Sequence, residues 1–107
     1  MQILVFVSSH CSHCPKAINA VRNLAPQYAD YGVTYRKIRA KTSEAKELSI
    51  KYNITVYPTI LFLNDNKEIL YTIKGAPSED SLMKKIEQLL GMRKSFFSRI
   101  FGGNNES

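Results

Sequence analysis

The residues of this chain best suited to chemistry lie together in one hexapeptide, His10-Cys11-Ser12-His13-Cys14-Pro15. Cysteines three positions apart on a helical turn can bring their sulfurs together. Such a pair can exchange disulfides. A thiolate at Cys11 forms a mixed disulfide with a substrate, and Cys14 then attacks that bond and releases the substrate. An apolar run precedes the motif and a helical pattern follows it, which puts Cys11 at a helix N-terminus. Unpaired N–H groups and the positive dipole end favour a thiolate there, so the Cys11 pKa is expected to be depressed. His13, between the cysteines, can add a cation or a hydrogen-bond donor, and His10 can do the same from the loop side. Stabilising the reduced form would make the disulfide a better oxidant. The bland alternative for each imidazole is a place in solvent. His10, His13 and Pro15 are the residues expected to tune the pair.

The same cysteine spacing occurs in metal sites. Two His and two Cys lie within five residues, but ligands this close would struggle to form a tetrahedron, and no further Cys or His exists to complete a set. No resident metal or other cofactor is therefore expected. A metal carrier or an interaction module is the non-enzyme alternative. Covalent c-type haem is excluded, because Pro15 follows Cys14 where that attachment needs a histidine.

The elements that must position these residues follow from hydrophobic pattern. Ile3 to Val7 is a short apolar run and reads as a buried central strand. From Ser12 to about Tyr28 the apolar residues Ala17, Ile18, Val21, Leu24, Ala25 and Tyr28 fall at helical spacing. Pro15 sits in the first turn, where its missing N–H costs nothing. Gly32 is placed to end that helix in a left-handed cap. Val33 to Ile38 alternates as a strand. Thr42 or Ser43 begins a helix running to about Tyr52, with Ala45, Leu48 and Tyr52 on its apolar face. Thr59 to Leu63 and Glu68 to Ile73 form a hairpin around Asn64-Asp65-Asn66-Lys67. Gly75-Ala76-Pro77 breaks it. Ser78 caps a last helix that carries Leu82, Ile86, Leu89 and Leu90 and ends near Gly91. The order βαβαββα predicts an α/β domain with a four-stranded mixed sheet and flanking helices, spanning residues 1–91.

Length and composition bound the function class. The chain has 107 residues, 44% hydrophobic and 22% charged, which fits one ordinary globular domain and not a disordered or fibrous chain. With 15 basic and 9 acidic residues the formal charge is +6. No basic block reaches the size of a nucleic-acid tail, so no nucleic-acid partner is expected. The largest cluster, Arg36, Lys37, Arg39 and Lys41, reads as a strand end running into a loop. Met1 and Gln2 lead straight into the first strand with no signal-peptide pattern, and a cytoplasmic location is expected. Two cysteines in a reducing compartment favour catalysis or metal binding over a structural staple.

Residues 92–107 read as a separate basic amphipathic tail with a disordered end. On a helix, Phe96, Phe97, Ile100 and Phe101 would share one face, ringed by Arg93, Lys94 and Arg99. This pattern leaves open weak contact with an anionic membrane surface, docking on a partner or a second copy, and return to its own domain.

The joint pattern of CxxC after the first strand and Tyr57-Pro58-Thr59 opening the hairpin resembles the thioredoxin superfamily. The stretch Lys51 to Phe62 is similar to that family's approach to its cis-proline, and Gly75 matches its glycine before the last helix. The resemblance covers about residues 2 to 91. Within the superfamily the chain resembles small archaeal-type glutaredoxin-like and thioredoxin-like proteins, with Cys-Ser-His-Cys-Pro-Lys-Ala as the shared helix start. It implies a thioredoxin fold and a thiol–disulfide oxidoreductase with Cys11 as nucleophile and Cys14 as resolving thiol. It implies a cis Tyr57–Pro58 bond and substrate contacts from Tyr57, Pro58, Thr59 and Gly75, with the Tyr57 backbone pairing to an extended substrate. The implied partners are protein disulfides, with a thioredoxin-reductase-type donor or glutathione supplying electrons. The chain departs from the family in lacking Trp-Cys-Gly-Pro-Cys, and Val5 stands where the central strand carries a buried acid. Water or a lysine such as Lys37 is left to take the Cys14 proton. It also lacks the Cys-Pro-Tyr-Cys and double glycine of typical glutaredoxins, so exchange with proteins is expected ahead of a glutathione-dependent activity.

Overall fold

The computed structural model describes residues 1–91. Eight segments follow in order: β1 (Gln2–Val7), α1 (Cys14–Leu24), a 3-10 segment (Ala25–Tyr31), β2 (Thr34–Arg39), α2 (Ser43–Tyr52), β3 (Thr59–Leu63), β4 (Ile69–Lys74) and α3 (Glu79–Leu89). The tail expected at 92–107, with its Phe96, Phe97, Ile100 and Phe101 face, lies outside the described residues. The four strands form one sheet in the order β2-β1-β3-β4. β1 runs parallel to β2 and antiparallel to β3, and β3 and β4 form an antiparallel hairpin. This is the mixed sheet expected from the sequence.

The apolar runs are continuous because helices cover both faces of the sheet. Ile3, Val5, Val7, Ile60 and Phe62 face α1 and α3, where they meet Ala17, Ala20, Val21, Leu24, Leu82 and Ile86. Leu4, Phe6, Leu61 and Leu63 face the other way, toward Ile38, Ala45 and Ile54. Successive side chains of a strand point to opposite faces, so a strand covered twice needs an apolar residue at every position. Each fully buried large side chain, such as Phe6 or Phe62, stabilises the fold by roughly 1.5–3 kcal/mol. The edge strand β4 is different: Ile69, Leu70 and Tyr71 are exposed.

One expected helix differs. The pattern from Ser12 to Tyr28 is not one helix: α1 ends at Leu24 and the chain continues as a 3-10 segment. Pro26 has no N–H for the carbonyl four residues before it, and its ring crowds that turn. The apolar spacing survives the change, so Ala25 and Tyr28 still reach the core. Gly32 ends the segment with φ of +82°, a conformation that suits glycine. The turn at Asn64 closes as its residue types suggest. The Asn64 Oδ1 accepts from the N–H groups of Asn66 and Glu68, both at 2.9 Å.

A buried polar pair locks α3 to the 3-10 segment. The Tyr28 hydroxyl donates to Glu87 Oε2 at 2.7 Å, and both residues are buried. Glu87 lies in the last turn of α3, where a negative charge opposes the helix dipole, so this donor matters more. Burial, then the bond to Glu87 and its charge, raises the Tyr28 phenol above its ordinary value of 10.0. An unfolded chain would ionise that tyrosine first. Stability from the raised group is therefore complete below pH ~10 and is lost as pH rises above it.

Tyr28→Phe leaves the buried carboxylate without its donor and is expected to cost about 1–3 kcal/mol. Urea unfolding should show a lower midpoint with an unchanged slope. The decline of stability above pH ~10 should become shallower than in the parent protein. An unchanged midpoint would show that the pair contributes nothing.

Candidate functional site

The site forms where the C-terminal end of β1 meets the N-terminal end of β3. Phe6 pairs with Thr59, so the chain leaving β1 through Ser8, Ser9 and His10 passes beside the loop entering β3. That loop is set by α2. Asn53 ends the helix with φ of +57°, and the Ile54 N–H returns to the Ser49 carbonyl at 2.9 Å, turning residues 54–58 back toward β1.

Cys11 and Cys14 are joined in a disulfide, with their Cα atoms 5.4 Å apart, inside the ordinary range for such a bond. The two cysteines differ in exposure. Cys14 is 3% exposed and packs with Ala17 and Val21 in the core, whereas Cys11 is partly exposed at its edge. A sulfur that must meet another molecule has to be the outer one. The bond also holds the Cys11 sulfur against the first residue of α1.

That helix end is left electrically open. The sequence suggests a start at Ser12, but α1 begins at Cys14, with His13 at the capping position and no side-chain cap. Pro15 has no N–H to donate, and the first turn carries no acid. The other two helices are closed by side chains. Thr42 Oγ1 accepts from the Ala45 N–H, and Ser78 Oγ accepts from the Ser81 N–H, both at 3.1 Å. Both also carry acids in their first turns: Glu44 in α2, Glu79 and Asp80 in α3. Of the three helices, α1 has the positive end left free to stabilise an anion, and Cys11 is the cysteine beside it that would carry one once the disulfide is reduced. His10 and His13 are both exposed.

The Tyr57–Pro58 peptide bond is cis. Pro58 is buried, and Tyr57 is half-buried against both core clusters. Among the described residues the Tyr57 N–H and C=O have no backbone hydrogen-bond partner. Gly75 belongs with this loop, because its N–H donates to the Pro58 carbonyl at 2.8 Å. Its φ is +109°, and an added Cβ would meet nothing within 4 Å. Backbone conformation, not space, is what requires glycine there.

Thr59 has its side chain 1% exposed, and its hydroxyl donates to the Val56 carbonyl at 2.7 Å, which braces the loop. Val5 is fully buried, and Lys37, its register partner on β2, is exposed. Among the described residues no group of three or more His, Cys, Asp or Glu side chains is arranged to hold a metal ion.

Residues 1–88 match the family model for thioredoxin. The chain is 30% identical over 90 residues to thioredoxin H5 of rice, Oryza sativa subsp. japonica, across 81% of this chain and 60% of that protein. It is 31% identical over 87 residues to a probable thioredoxin of Archaeoglobus fulgidus, across 81% of this chain and 87% of that one. Among solved structures it is similar to the germline-specific thioredoxin Deadhead of Drosophila melanogaster. The TM-score is 0.70 at 28% identity, over 82% of this chain and 79% of that chain. The chain thus spans about 60% of the length of the rice relative and most of the archaeal one.

Thr59→Val keeps the shape of the side chain and removes the bond to Val56. It is expected to cost about 1 kcal/mol. The checks are the urea midpoint and proteolytic nicking of residues 54–58, which should become faster. Equal nicking of the two proteins would remove the bracing role.

Proposed function

The chain belongs to the thioredoxin family, and we propose that it works as a thiol–disulfide oxidoreductase acting on protein disulfides through Cys11 and Cys14. The observation that carries the reading is the bonded pair at the open end of α1, with Cys14 buried and Cys11 partly exposed.

In the reduced protein the Cys11 thiolate attacks one sulfur of a substrate disulfide. A Cys11–substrate bond forms, and the other substrate sulfur leaves as a thiolate that takes up a proton. The Cys14 thiolate then attacks Cys11 Sγ. The Cys11–Cys14 bond forms, and the second substrate sulfur leaves and is protonated. The substrate gains two electrons and two protons, and the protein loses them. A thiol donor, either a reductase-type dithiol protein or glutathione, returns the pair to the dithiol. The Tyr57 N–H and C=O, without backbone partners among the described residues, would pair with an extended substrate strand in the manner of strand addition. With Val5 in the central strand, the Cys14 proton passes to water.

Cys11→Ser should abolish reduction of insulin disulfides. Cys14→Ser should instead accumulate a mixed disulfide at Cys11, visible by mass spectrometry after acid quench. Full insulin reduction by the Cys11→Ser protein would refute the assigned nucleophile. The open helix end also sets expectations for the potential. Cys11 should be alkylated by iodoacetamide at pH values below the ordinary thiol range near ~8.5. The pair should equilibrate with glutathione buffers at a value above thioredoxin's ~−270 mV. His13→Ala should lower that value by about 6–21 mV, if the imidazole adds the ~0.3–1 kcal/mol typical of a charge at a helix end.

A further inference from the structure

A crevice of about 320 Å³ opens between the ends of the parallel strands β1 and β2. Val7, Ser8 and Ser9 line one side, and Arg39, Ala40 and Lys41 line the other. Its walls are tied together. The Ala40 N–H donates to the Val7 carbonyl at 2.8 Å, and the Thr42 hydroxyl donates to the Arg39 carbonyl at 2.9 Å. The crevice also lies close to Cys11 along the chain. Ser9 precedes Cys11 by two residues, so their Cα atoms lie within about 7 Å.

The charge around it is one-sided. Arg39 and Lys41 are exposed and make no ion pair among the described residues. The neighbouring acid of α2 is already engaged, because Arg36 grips Glu44 through two bonds of 2.6 and 2.7 Å. That grip holds the Glu44 carboxyl below its ordinary range and leaves little of its charge to offset Arg39 and Lys41. The flank on the other side of the cysteines is mixed. A groove there runs past Ser12, Pro15 and Lys16 to Glu79. A substrate crossing Cys11 on the β2 side therefore meets two cations, Arg39 and Lys41, with no ion-pair partner among the described residues, whereas the other flank carries both signs.

Building on the exchange reading above, we propose that this crevice is a specificity subsite for an acidic segment of the protein substrate. Aspartate or glutamate two or three residues from the substrate's reactive cysteine lies between Arg39 and Lys41 while that cysteine's sulfur meets Cys11. An extended chain advances about 3.3 Å per residue, so two or three residues span about 7–10 Å. Ser8 and Ser9 supply neutral hydrogen-bond partners on the opposite wall. Charge complementarity of this kind steers encounter and selects among partners more than it adds raw affinity.

The test uses the full chain and peptide disulfides of equal length that differ only in the residues flanking the cysteine, either Asp and Glu or Lys. Hydroxyethyl disulfide serves as an uncharged reference substrate. The acidic peptide should have a kcat/KM about tenfold above the lysine peptide at low salt, shrinking toward about twofold at high salt. In an Arg39→Gln, Lys41→Gln protein the preference should fall to within about twofold, with the hydroxyethyl disulfide rate unchanged. Arg39→Glu with Lys41→Glu should invert it. A parent protein without the preference, or a preference that survives the double substitution, overturns the subsite. A glutathione disulfide rate that falls as far as the acidic peptide's assigns the crevice to that small anion and also overturns it. Loss of turnover on every disulfide, the uncharged one included, sinks the exchange reading itself.

Discussion

The register of the central strand is the constraint on which the rest of the structure depends. β1 sets Phe6 opposite Thr59 on one side and Val7 opposite Arg39 on the other. Side chains alternate along a strand, so a slip of one residue would turn Ile3, Val5 and Val7 away from α1 and α3 and toward α2. Close packing of side chains of different size on the two faces opposes that slip. The same register leaves three segments at one end of the sheet: the chain running into Cys11, the loop through Pro58, and Gly75 at the end of β4. The bond from the Gly75 N–H to the Pro58 carbonyl joins two of them directly.

Stability and reactivity are divided among the helices. α2 and α3 have their first turns satisfied by Thr42 and Ser78 and by nearby acids. α1 is held instead from its side, by Cys14, Ala17, Ala20, Val21 and Leu24 against the sheet. An end capped by a side-chain oxygen would have spent its donors and part of its dipole field. Lateral packing allows α1 to keep a bare N-terminus without unravelling, and the bare N-terminus is what a thiolate requires. The unequal burial of the cysteines follows from the same packing, since the first helical residue faces the core and the turn before it does not.

Surface charge is organised by pairing as much as by composition. The formal charge of +6 is spread over the whole chain. Near the cysteines its local sign depends on which acids are engaged. Arg36 holds Glu44, and Lys84 holds Asp80 at 3.1 Å. Exposed pairs of this kind add little stability. Their effect is on the field, because each engaged acid leaves neighbouring cations less opposed.

Much of the architecture was legible in the residues themselves. Continuous apolar runs marked the central strands, which are covered on both faces, and a spacing of three and four marked the helices. Thr42, Ser78, Gly32 and the Asn64 turn announced their local conformations, because their physical causes lie within a few residues. The CxxC pair at a strand-to-helix junction likewise marked the candidate site. What depended on distant partners was not legible. The buried role of Glu87 needs Tyr28, fifty-nine residues away. The inward hydroxyl of Thr59 and the compensation of Glu44 by Arg36 need the loop and the sheet to be in place. The end of α1 at Leu24 shows a milder case: Pro26 stood in plain view, but the apolar spacing carried on past it, and only the backbone showed that the spacing was kept by a tighter turn. Local sequence picked out which groups are candidates for chemistry, and tertiary structure decided which of them face outward, because exposure is a property of the packed chain and not of any segment alone.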